Sequence, residues 1–174
     1  SNLDLNKRAM NGSCTETCQK PHCSSNGSCI QSDINNWRLS DGNCAGNCNL
    51  TEECISDNTT NFLCNKRSEH DIGQPDNTCG SNCPQGKCYP TTGVNIYKCD
   101  VYAGKLANVF GKCVNECPAN QCLNKITEHC QDLITTNASR LRSVLGYCEN
   151  SCNWNTECYD STTMVCKNLS SNSI

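Results

Sequence analysis

Cysteine is the residue type whose number and spacing in this sequence could do chemistry. There are 20 cysteines in 174 residues, and such side chains either pair as disulfides or bind metal as thiolates. All of them fall into five copies of one pattern, C-x3-C-x4/5-C-x5/10-C. The copies hold Cys14, Cys18, Cys23, Cys29; Cys44, Cys48, Cys54, Cys64; Cys79, Cys83, Cys88, Cys99; Cys113, Cys117, Cys122, Cys130; and Cys148, Cys152, Cys158, Cys166.

The copies follow one another at a nearly constant period. Their first cysteines are 30, 35, 34 and 35 residues apart, which is the signature of a tandem repeat. A glycine stands two residues ahead of the first cysteine in four copies, at Gly12, Gly42, Gly111 and Gly146, and Asn77 takes that place in the third. The predicted organisation is an N-terminal tail, residues 1–11, then repeats at 12–41, 42–76, 77–110, 111–145 and 146–174, the last including the C-terminal tail.

The composition favours disulfides over metal. Leu, Ile, Val and Phe supply only 27 residues and the mean hydropathy is −0.61, too little apolar surface to offset the conformational entropy of folding. Disulfides, each contributing roughly 2–4 kcal/mol, compensate for a small core. Zinc is an alternative, because C-x3-C spacing is compatible with a structural zinc site. It is less favoured, because thiolates in a secreted protein would be oxidised before they met the metal. No metal and no cofactor are predicted.

The same cysteines and a set of glycosylation sequons predict an extracellular or cell-surface protein. Disulfides persist in oxidising compartments, and no apolar run is long enough to span a bilayer. We expect a mature ectodomain whose targeting segments have been removed; whether a lipid anchor was attached stays open. The N-x-S/T sequons are Asn11, Asn26, Asn49, Asn58, Asn137 and Asn168.

Turn residues and apolar spacing predict the local structure of each copy. A CxxxC turn is followed by a short β-hairpin, most clearly at Asn26-Gly27, where both residues tolerate positive φ. The fourth copy differs, because residues 123–129 lack a turn residue and suggest a helix. The spacers 32–39, 101–110 and 131–145 also have helical apolar spacing. The predicted fold is therefore a small disulfide-rich, elongated array of five four-cysteine modules joined by helical or irregular spacers.

The cysteine spacing resembles the first four cysteines of an epidermal-growth-factor-like module. The third copy, CGSNCPQGKCYPTTGVNIYKC, looks most like one, although the fifth and sixth cysteines of such a module are replaced by the spacer. The resemblance implies first-to-third and second-to-fourth bridges within each copy, and so no bridge between copies. The implied pairs are Cys14–Cys23, Cys18–Cys29, Cys44–Cys54, Cys48–Cys64, Cys79–Cys88, Cys83–Cys99, Cys113–Cys122, Cys117–Cys130, Cys148–Cys158 and Cys152–Cys166. The Asn-rich, periodic style is also similar to cysteine-rich surface antigens of protists.

The rest of the sequence indicates binding rather than catalysis. The three histidines are far apart and no unpaired nucleophile is expected, so an enzyme is not predicted. Basic residues form no stripe, which argues against nucleic acid. We expect a structural, adhesive or coat-forming glycoprotein that associates with itself or with another extracellular protein; a glycan is a possible ligand, with Trp154 as a stacking platform. The alternative is a diffusible pheromone-like ligand or an inhibitor. The candidate interface is the sequon-free stretch 79–130, with Tyr89, Tyr97, Tyr102 and Phe110.

Overall fold

The structure is a computed structural model that describes residues 7–8, 14–15, 17–134 and 140–169. Within these ranges the chain forms 18 short strands and no helix. The strands are β1 (Lys7–Arg8), β2 (Cys14–Thr15), β3 (His22–Ser25), β4 (Ser28–Gln31), β5 (Trp37–Arg38), β6 (Cys44–Ala45), β7 (Glu53–Asp57), β8 (Leu63–Lys66), β9 (Ile72–Gly73), β10 (Cys79–Gly80), β11 (Lys105–Ala107), β12 (Cys113–Asn115), β13 (Gln121–Leu123), β14 (Cys130–Asp132), β15 (Leu141–Arg142), β16 (Cys148–Glu149), β17 (Glu157–Asp160) and β18 (Val165–Asn168). None of the described residues forms a helix with the length and apolarity needed to cross a membrane.

Three copies fold into the same four-stranded sheet. The strand orders are β2-β1-β4-β3, β6-β5-β8-β7 and β16-β15-β18-β17. In each sheet the strand ahead of the first cysteine (β1, β5 or β15) pairs antiparallel with the strand that holds the first cysteine. The strands that hold the third and fourth cysteines form an antiparallel hairpin. The two hairpins are joined because the strand ahead of the first cysteine also pairs, in parallel, with the fourth-cysteine strand. The prediction of tandem, disulfide-rich hairpin modules is confirmed.

The other two copies are reduced versions of this sheet. Copy 4 has the two antiparallel hairpins, β11 with β12 and β13 with β14, as separate two-stranded sheets. Copy 3 has β9 paired with β10, and its residues 88–99 form turns and isolated bridges rather than strands. One of these bridges joins Gly73 and Lys98 in parallel. It corresponds to the parallel pairing that connects the two hairpins in the four-stranded sheets.

The helices predicted for the spacers are wrong. Residues 32–39, 101–110 and the described parts of 131–145 hold strands and turns instead, including β5, β11 and β15. The physical reason is that each spacer contributes one apolar side chain to its module, seven residues before the first cysteine, and this side chain packs against a bridged cysteine. These residues are Trp37, Ile72, Leu106 and Leu141. Lys7 has the corresponding place in the first copy.

A repeated turn, rather than a helix end, explains the glycine ahead of the first cysteine. In the second copy Leu39 N donates to Asn43 O and Gly42 N donates to Leu39 O, both at 2.9 Å. The same pair of hydrogen bonds recurs in copies 3, 4 and 5. The residue at the glycine position has φ of +87° at Gly42, +70° at Asn77, +81° at Gly111 and +100° at Gly146. Asn is tolerated in the third copy because it adopts left-handed backbone more easily than other side chains do.

The turns between the third- and fourth-cysteine strands match the prediction in copy 1 and differ from it in copy 4. In copy 1, Asn26 and Gly27 have φ of +47° and +76° between β3 and β4, so the expected tight turn is confirmed. In copy 4 the predicted helix at 123–129 is wrong, because residues 121–123 and 130–132 pair as a hairpin. Asn124 is the turn residue there: its Oδ1 accepts from the amides of Ile126 and Thr127 at 2.9 and 3.1 Å.

The chain divides into two compact units, and disulfide sulfurs form part of the core of each. The first unit is Ser1–Cys83 with Tyr89–Asp100, and the second is Pro84–Cys88 with Val101–Ile174. The first contains clusters of Trp37, Cys48 and Cys64 and of Ile72, Tyr89 and Cys99; the second contains clusters of Cys117, Leu123 and Tyr147 and of Leu141, Cys152 and Cys166. The cores of copies 2 to 5 are thus each a few apolar side chains around one bridge.

Candidate functional site: the junctions between copies

The second and fourth cysteines are bridged in every copy, as predicted. The five bridges are Cys18–Cys29, Cys48–Cys64, Cys83–Cys99, Cys117–Cys130 and Cys152–Cys166, with Cα–Cα separations of 5.4–5.6 Å. Each of them links the end of the CxxxC segment to the last cysteine-bearing segment of its module. This half of the pairing implied by the growth-factor-like resemblance is confirmed.

The predicted first-to-third bridges, and the prediction that no bridge joins two copies, are wrong. The third cysteine is bridged instead to the first cysteine of the next copy, in Cys23–Cys44, Cys54–Cys79, Cys88–Cys113 and Cys122–Cys148. The strand order gives the reason. First- and third-cysteine strands lie at opposite edges of a four-stranded sheet, three strand spacings or about 14 Å apart, whereas a disulfide needs Cα atoms within about 7 Å.

Backbone hydrogen bonds accompany three of these junctions. The amide after the third cysteine donates to the carbonyl two residues before the next first cysteine: Ser24 N to Gly42 O at 2.8 Å, Ile55 N to Asn77 O at 2.8 Å and Leu123 N to Gly146 O at 2.9 Å. The same segments make parallel bridges. A junction is therefore a short strand addition to the edge of the preceding sheet, closed by a disulfide.

Two arginines contact the carbonyl just before the third cysteine. Nη1 of Arg38 in β5 donates to His22 O, and partial burial lowers the pKa of this guanidinium, which the Asp41 carboxylate opposes. Nη1 of Arg142 in β15 donates to Gln121 O at 2.5 Å and to Pro118 O at 2.9 Å. Both arginines stand six residues ahead of a first cysteine. They are junction residues that sequence reasoning missed, and alignment of the spacers on the first cysteine would have revealed them.

Cys158 departs from the bridged pattern. Among the cysteines whose side chains the structure describes, it is the one without a bridge, and it is exposed. Its predicted pairing with Cys148 is wrong, because Cys148 is bridged to Cys122. The corresponding third cysteines of the other copies, Cys23, Cys54, Cys88 and Cys122, are only 0–2% exposed. The predicted partner of Cys23, Cys14, has a side chain outside the described part of the structure.

Two carboxylates lie beside disulfide bridges, in groups whose residue types could hold a metal ion. Glu53 groups with Cys48 and Cys64, and Glu157 with Cys152 and Cys166, each set having its ligand atoms within 4.8 Å. Both pairs of sulfurs are in disulfides and so offer no thiolate. The carboxylates have a structural role: Glu53 accepts from Asn49 N at 3.0 Å and Glu157 from Asn153 N at 2.9 Å, which accounts for the shared C-N-x-x-x-E-C motif.

The predicted interface residues are not all at the surface. Tyr89 is 6% exposed and belongs to the core with Ile72, so its assignment to an exposed interface is wrong. Tyr97 packs against Tyr89, with ring centroids 5.7 Å apart, and is half-buried. Tyr102 is also half-buried, while Phe110 is 73% exposed. Trp154, the candidate stacking platform, is 69% exposed.

The described sequons are all at the surface. Asn26, Asn49, Asn58 and Asn168 are exposed; Asn11 and Asn137 lie outside the described residues. Asn49 has its Oδ1 bonded to the hydroxyl of Thr51 at 2.6 Å, whereas Asn26 lies at the tip of a hairpin. Nothing in the packing prevents a glycan at these four positions.

An open, mainly polar cleft of about 810 Å³ lies in the second unit. Its lining includes Lys125, Tyr147, Glu149, Glu157 and Asn168. The described residues that line it contain no histidine and no free cysteine.

In the part of the chain that the structure describes, strand-only modules with nine disulfides define a small, disulfide-rich repeat protein. No family model matches the chain, and neither the curated proteins nor the solved structures searched gave a significant match.

Proposed function

We propose that this protein is a secreted or cell-surface structural glycoprotein, a non-enzymatic unit of a coat, matrix or filament. The observation that carries the proposal is the series of bridges from each copy to the next, which links all five copies covalently in sequence order. Reducing cytosol would open such bridges, so they suit an oxidising, extracellular setting. A chain reinforced at every junction suits a load-bearing or protease-resistant role.

The exposed sequons support the secretory part of this proposal. Asn26, Asn49, Asn58 and Asn168 are accessible, and three of them lie in the first two copies. Expression through a eukaryotic secretory route should give secreted protein whose mass falls on treatment with an endoglycosidase. Retention in the cell with free thiols would argue against an extracellular role.

The proposed surface for self-association lies in residues 101–130, the part of the sequon-free stretch 79–130 that follows Asp100 and belongs to the second unit. Phe110 and Val101 are 73% and 70% exposed, and Val109 is 45% exposed. Exposed apolar side chains of this size are commonly part of protein contacts when they cluster. We propose that Phe110, with the exposed part of Tyr102 in the same unit, contacts a second copy.

Size-exclusion chromatography with light scattering tests this function. The wild-type glycoprotein should elute as oligomers that dissociate on dilution, whereas a monodisperse monomer at high micromolar concentration would favour the diffusible-ligand alternative. A new sequon beside Tyr102, made by Val101→Asn with Ala103→Thr, should weaken association at least about tenfold, since a glycan there would cover the contact. Removal of the Asn58 sequon by Thr60→Ala is the matched control and should leave association unchanged. Unaltered oligomers with the added glycan present would exclude this surface.

A further inference from the structure

The Asn168 sequon lies at the cleft of the second unit. Asn168 is exposed and belongs to the lining of this cleft, whose volume is about 810 Å³. The other described sequons, Asn26, Asn49 and Asn58, do not line it. An N-glycan is attached through the side-chain nitrogen of its asparagine, so a glycan carried by Asn168 begins at the wall of the cleft.

Strand geometry directs the Asn168 side chain toward the cleft. Successive side chains of a strand point to opposite faces, so Asn168 shares a face of β18 with Cys166, and Lys167 belongs to the other face. Cys166 is buried and bridged to Cys152, which lines the cleft. Across the hairpin Asn168 pairs directly with Glu157, another lining residue. The first sugar on Asn168 is therefore placed beside the Glu157 carboxylate.

The lining has the chemistry that recognises N-acetylglucosamine, the sugar through which N-glycans are attached. Its hydroxyl and acetamido groups both donate and accept hydrogen bonds, and the lining residues Lys125, Glu149 and Ser151 supply the matching donors and acceptors. Val144, which is 40% exposed, and half-buried Leu145 supply apolar surface for the acetyl methyl or a ring face. The cleft volume lies within the range of about 300–1,000 Å³ of ligand sites, which is enough for the core sugars.

Two charged side chains of the lining are held in place by other parts of the second unit. Glu157 Oε2 accepts from Asn153 N at 2.9 Å, and a carboxylate has acceptor sites for further donors. The Lys125 ammonium lies 4.0 Å from the centre of the Tyr147 ring, and this cation–π contact restrains a flexible side chain. Groups that are already ordered lose less freedom when they bind, so both favour a docked sugar.

We propose that the core of the Asn168 N-glycan docks in this cleft, where Glu149, Glu157 and Lys125 bind its N-acetylglucosamine residues. The inference rests on the proposed function, because it requires a secreted glycoprotein, and it gives one glycan a structural role. That glycan covers the cleft of the second unit. The glycan of Asn26, at the tip of a hairpin, extends into solvent instead.

Site-resolved deglycosylation of the folded, non-reduced protein tests the docking. The full 174-residue chain is secreted with oligomannose glycans and treated with an endoglycosidase that cuts between the core N-acetylglucosamine residues, and mass spectrometry of glycopeptides follows each site. Release at Asn168 should be roughly tenfold slower than at Asn26, the effect of one or two net hydrogen bonds that hold the core away from the enzyme. After reduction and denaturation the rates at both sites should be equal.

Val144→Arg tests whether the cleft causes the protection. The long side chain would occupy the cleft, so release at Asn168 should approach the rate at Asn26. Val109→Arg is the matched control, because Val109 holds the same turn position in copy 4, is 45% exposed and does not line the cleft. This control should leave release at Asn168 slow.

Equal native rates at Asn168 and Asn26, a difference that survives denaturation, or slow release that persists in Val144→Arg would overturn the docking. Binding of free chitobiose to protein whose Asn168 glycan is released quickly would also overturn it, and would assign the cleft to a glycan of another molecule. An unoccupied Asn168 beside glycans at other sequons would reject the inference and leave the proposed function standing. Secreted protein without a glycan at any sequon would reject both.

Discussion

Glu53 shows how a single polar residue organises a module with so small a core. It is 6% exposed, and its Oε1 accepts from Ser40 N at 2.7 Å and from the Ser40 hydroxyl at 2.5 Å. Its Oε2 accepts from Asn49 N. The carboxylate therefore joins the segment ahead of the first cysteine to the turn after the second. Burial of a charge is tolerated here because every contact is a charge-assisted hydrogen bond.

Replacement of Glu53 by Gln should destabilise the second module. The Gln amide keeps the shape of the side chain but removes the charge, and its NH2 group faces the N–H and O–H donors that the carboxylate accepted from. We therefore expect the free energy of unfolding to fall by about 1–3 kcal/mol. Hydrogen exchange at the Ser40 and Asn49 amides, with the disulfide bridges intact, measures this local loss of stability. Glu157→Gln is the matched control, because half-buried Glu157 accepts from Asn153 N and should lose less. Equal losses for both variants would show that burial of Glu53 is not the cause.

Two aspartates that close hairpin loops should make those loops sensitive to acid. The amides of Thr59 and Thr60 lower the pKa of Asp57 from 3.8 to about 2, and the Lys167 side chain, with the amides of Thr162 and Thr163, lowers that of Asp160 to about 2. A folded-state pKa below the ordinary value means that the ionised form stabilises the loop above pH 4. This contribution is lost as pH falls from about 4 through about 2.

NMR titration of the two carboxyl groups, with exchange at Thr59 and Thr162, checks the acid prediction. Protection of both amides should fall together with protonation near pH 2. Asp57→Asn should remove the pH dependence at Thr59 and leave that at Thr162. Titration of either carboxyl at its ordinary value would contradict the hydrogen-bond account.

At the scale of the element, the turn before the first cysteine requires left-handed backbone. Gly42→Ala should destabilise the second module by about 1–2 kcal/mol, because φ is +87° and a Cβ would lie 3.4 Å from the Arg38 guanidinium. Gly46→Ala is the matched control in the same module: its φ lies outside the left-handed region and a Cβ there would meet nothing within 4 Å. Chemical denaturation of the non-reduced protein compares the free energies of unfolding of the two variants. A loss at Gly46 as large as that at Gly42 would contradict the turn assignment.

Elements with local turn chemistry could be predicted from the sequence. Asn26-Gly27 specifies its hairpin because both residues accept positive φ, and cysteine spacing identifies the repeat. The spacers could not be predicted as easily, since a strand of two or three residues has no periodicity of its own. The apolar residues around Leu106 and Leu141 match helical spacing by chance, and only the register of the first-cysteine strand makes them β.

Half of the disulfide pairing could be predicted and half could not. The second-to-fourth bridge was implied by the growth-factor-like resemblance, and both of its cysteines belong to one copy. The other bridge depends on which edge of the sheet each cysteine occupies, a tertiary property. The fixed places of Arg38 and Arg142 before Cys44 and Cys148 carried a usable signal that the spacers belong to the junctions.

At the scale of the whole molecule, the elongated shape predicted from the repeat period stays a prediction. A compact globule of 174 residues would have a radius of gyration of about 16 Å. A tandem array in which each copy contacts mainly its neighbours should exceed this clearly. Small-angle scattering at low protein concentration measures the radius of gyration of the single chain. A value at or below that of the globule would contradict the array.

The bridges between copies are the basis of the proposed function, so the disulfide map tests the account most directly. Non-reducing peptide mapping of secreted protein, digested at acid pH where thiolate exchange is suppressed, should recover Cys23–Cys44, Cys54–Cys79, Cys88–Cys113 and Cys122–Cys148. It should also recover the five second-to-fourth bridges. Peptides that link Cys44 to Cys54 or Cys113 to Cys122 would contradict the account, because the copies would then be independent modules.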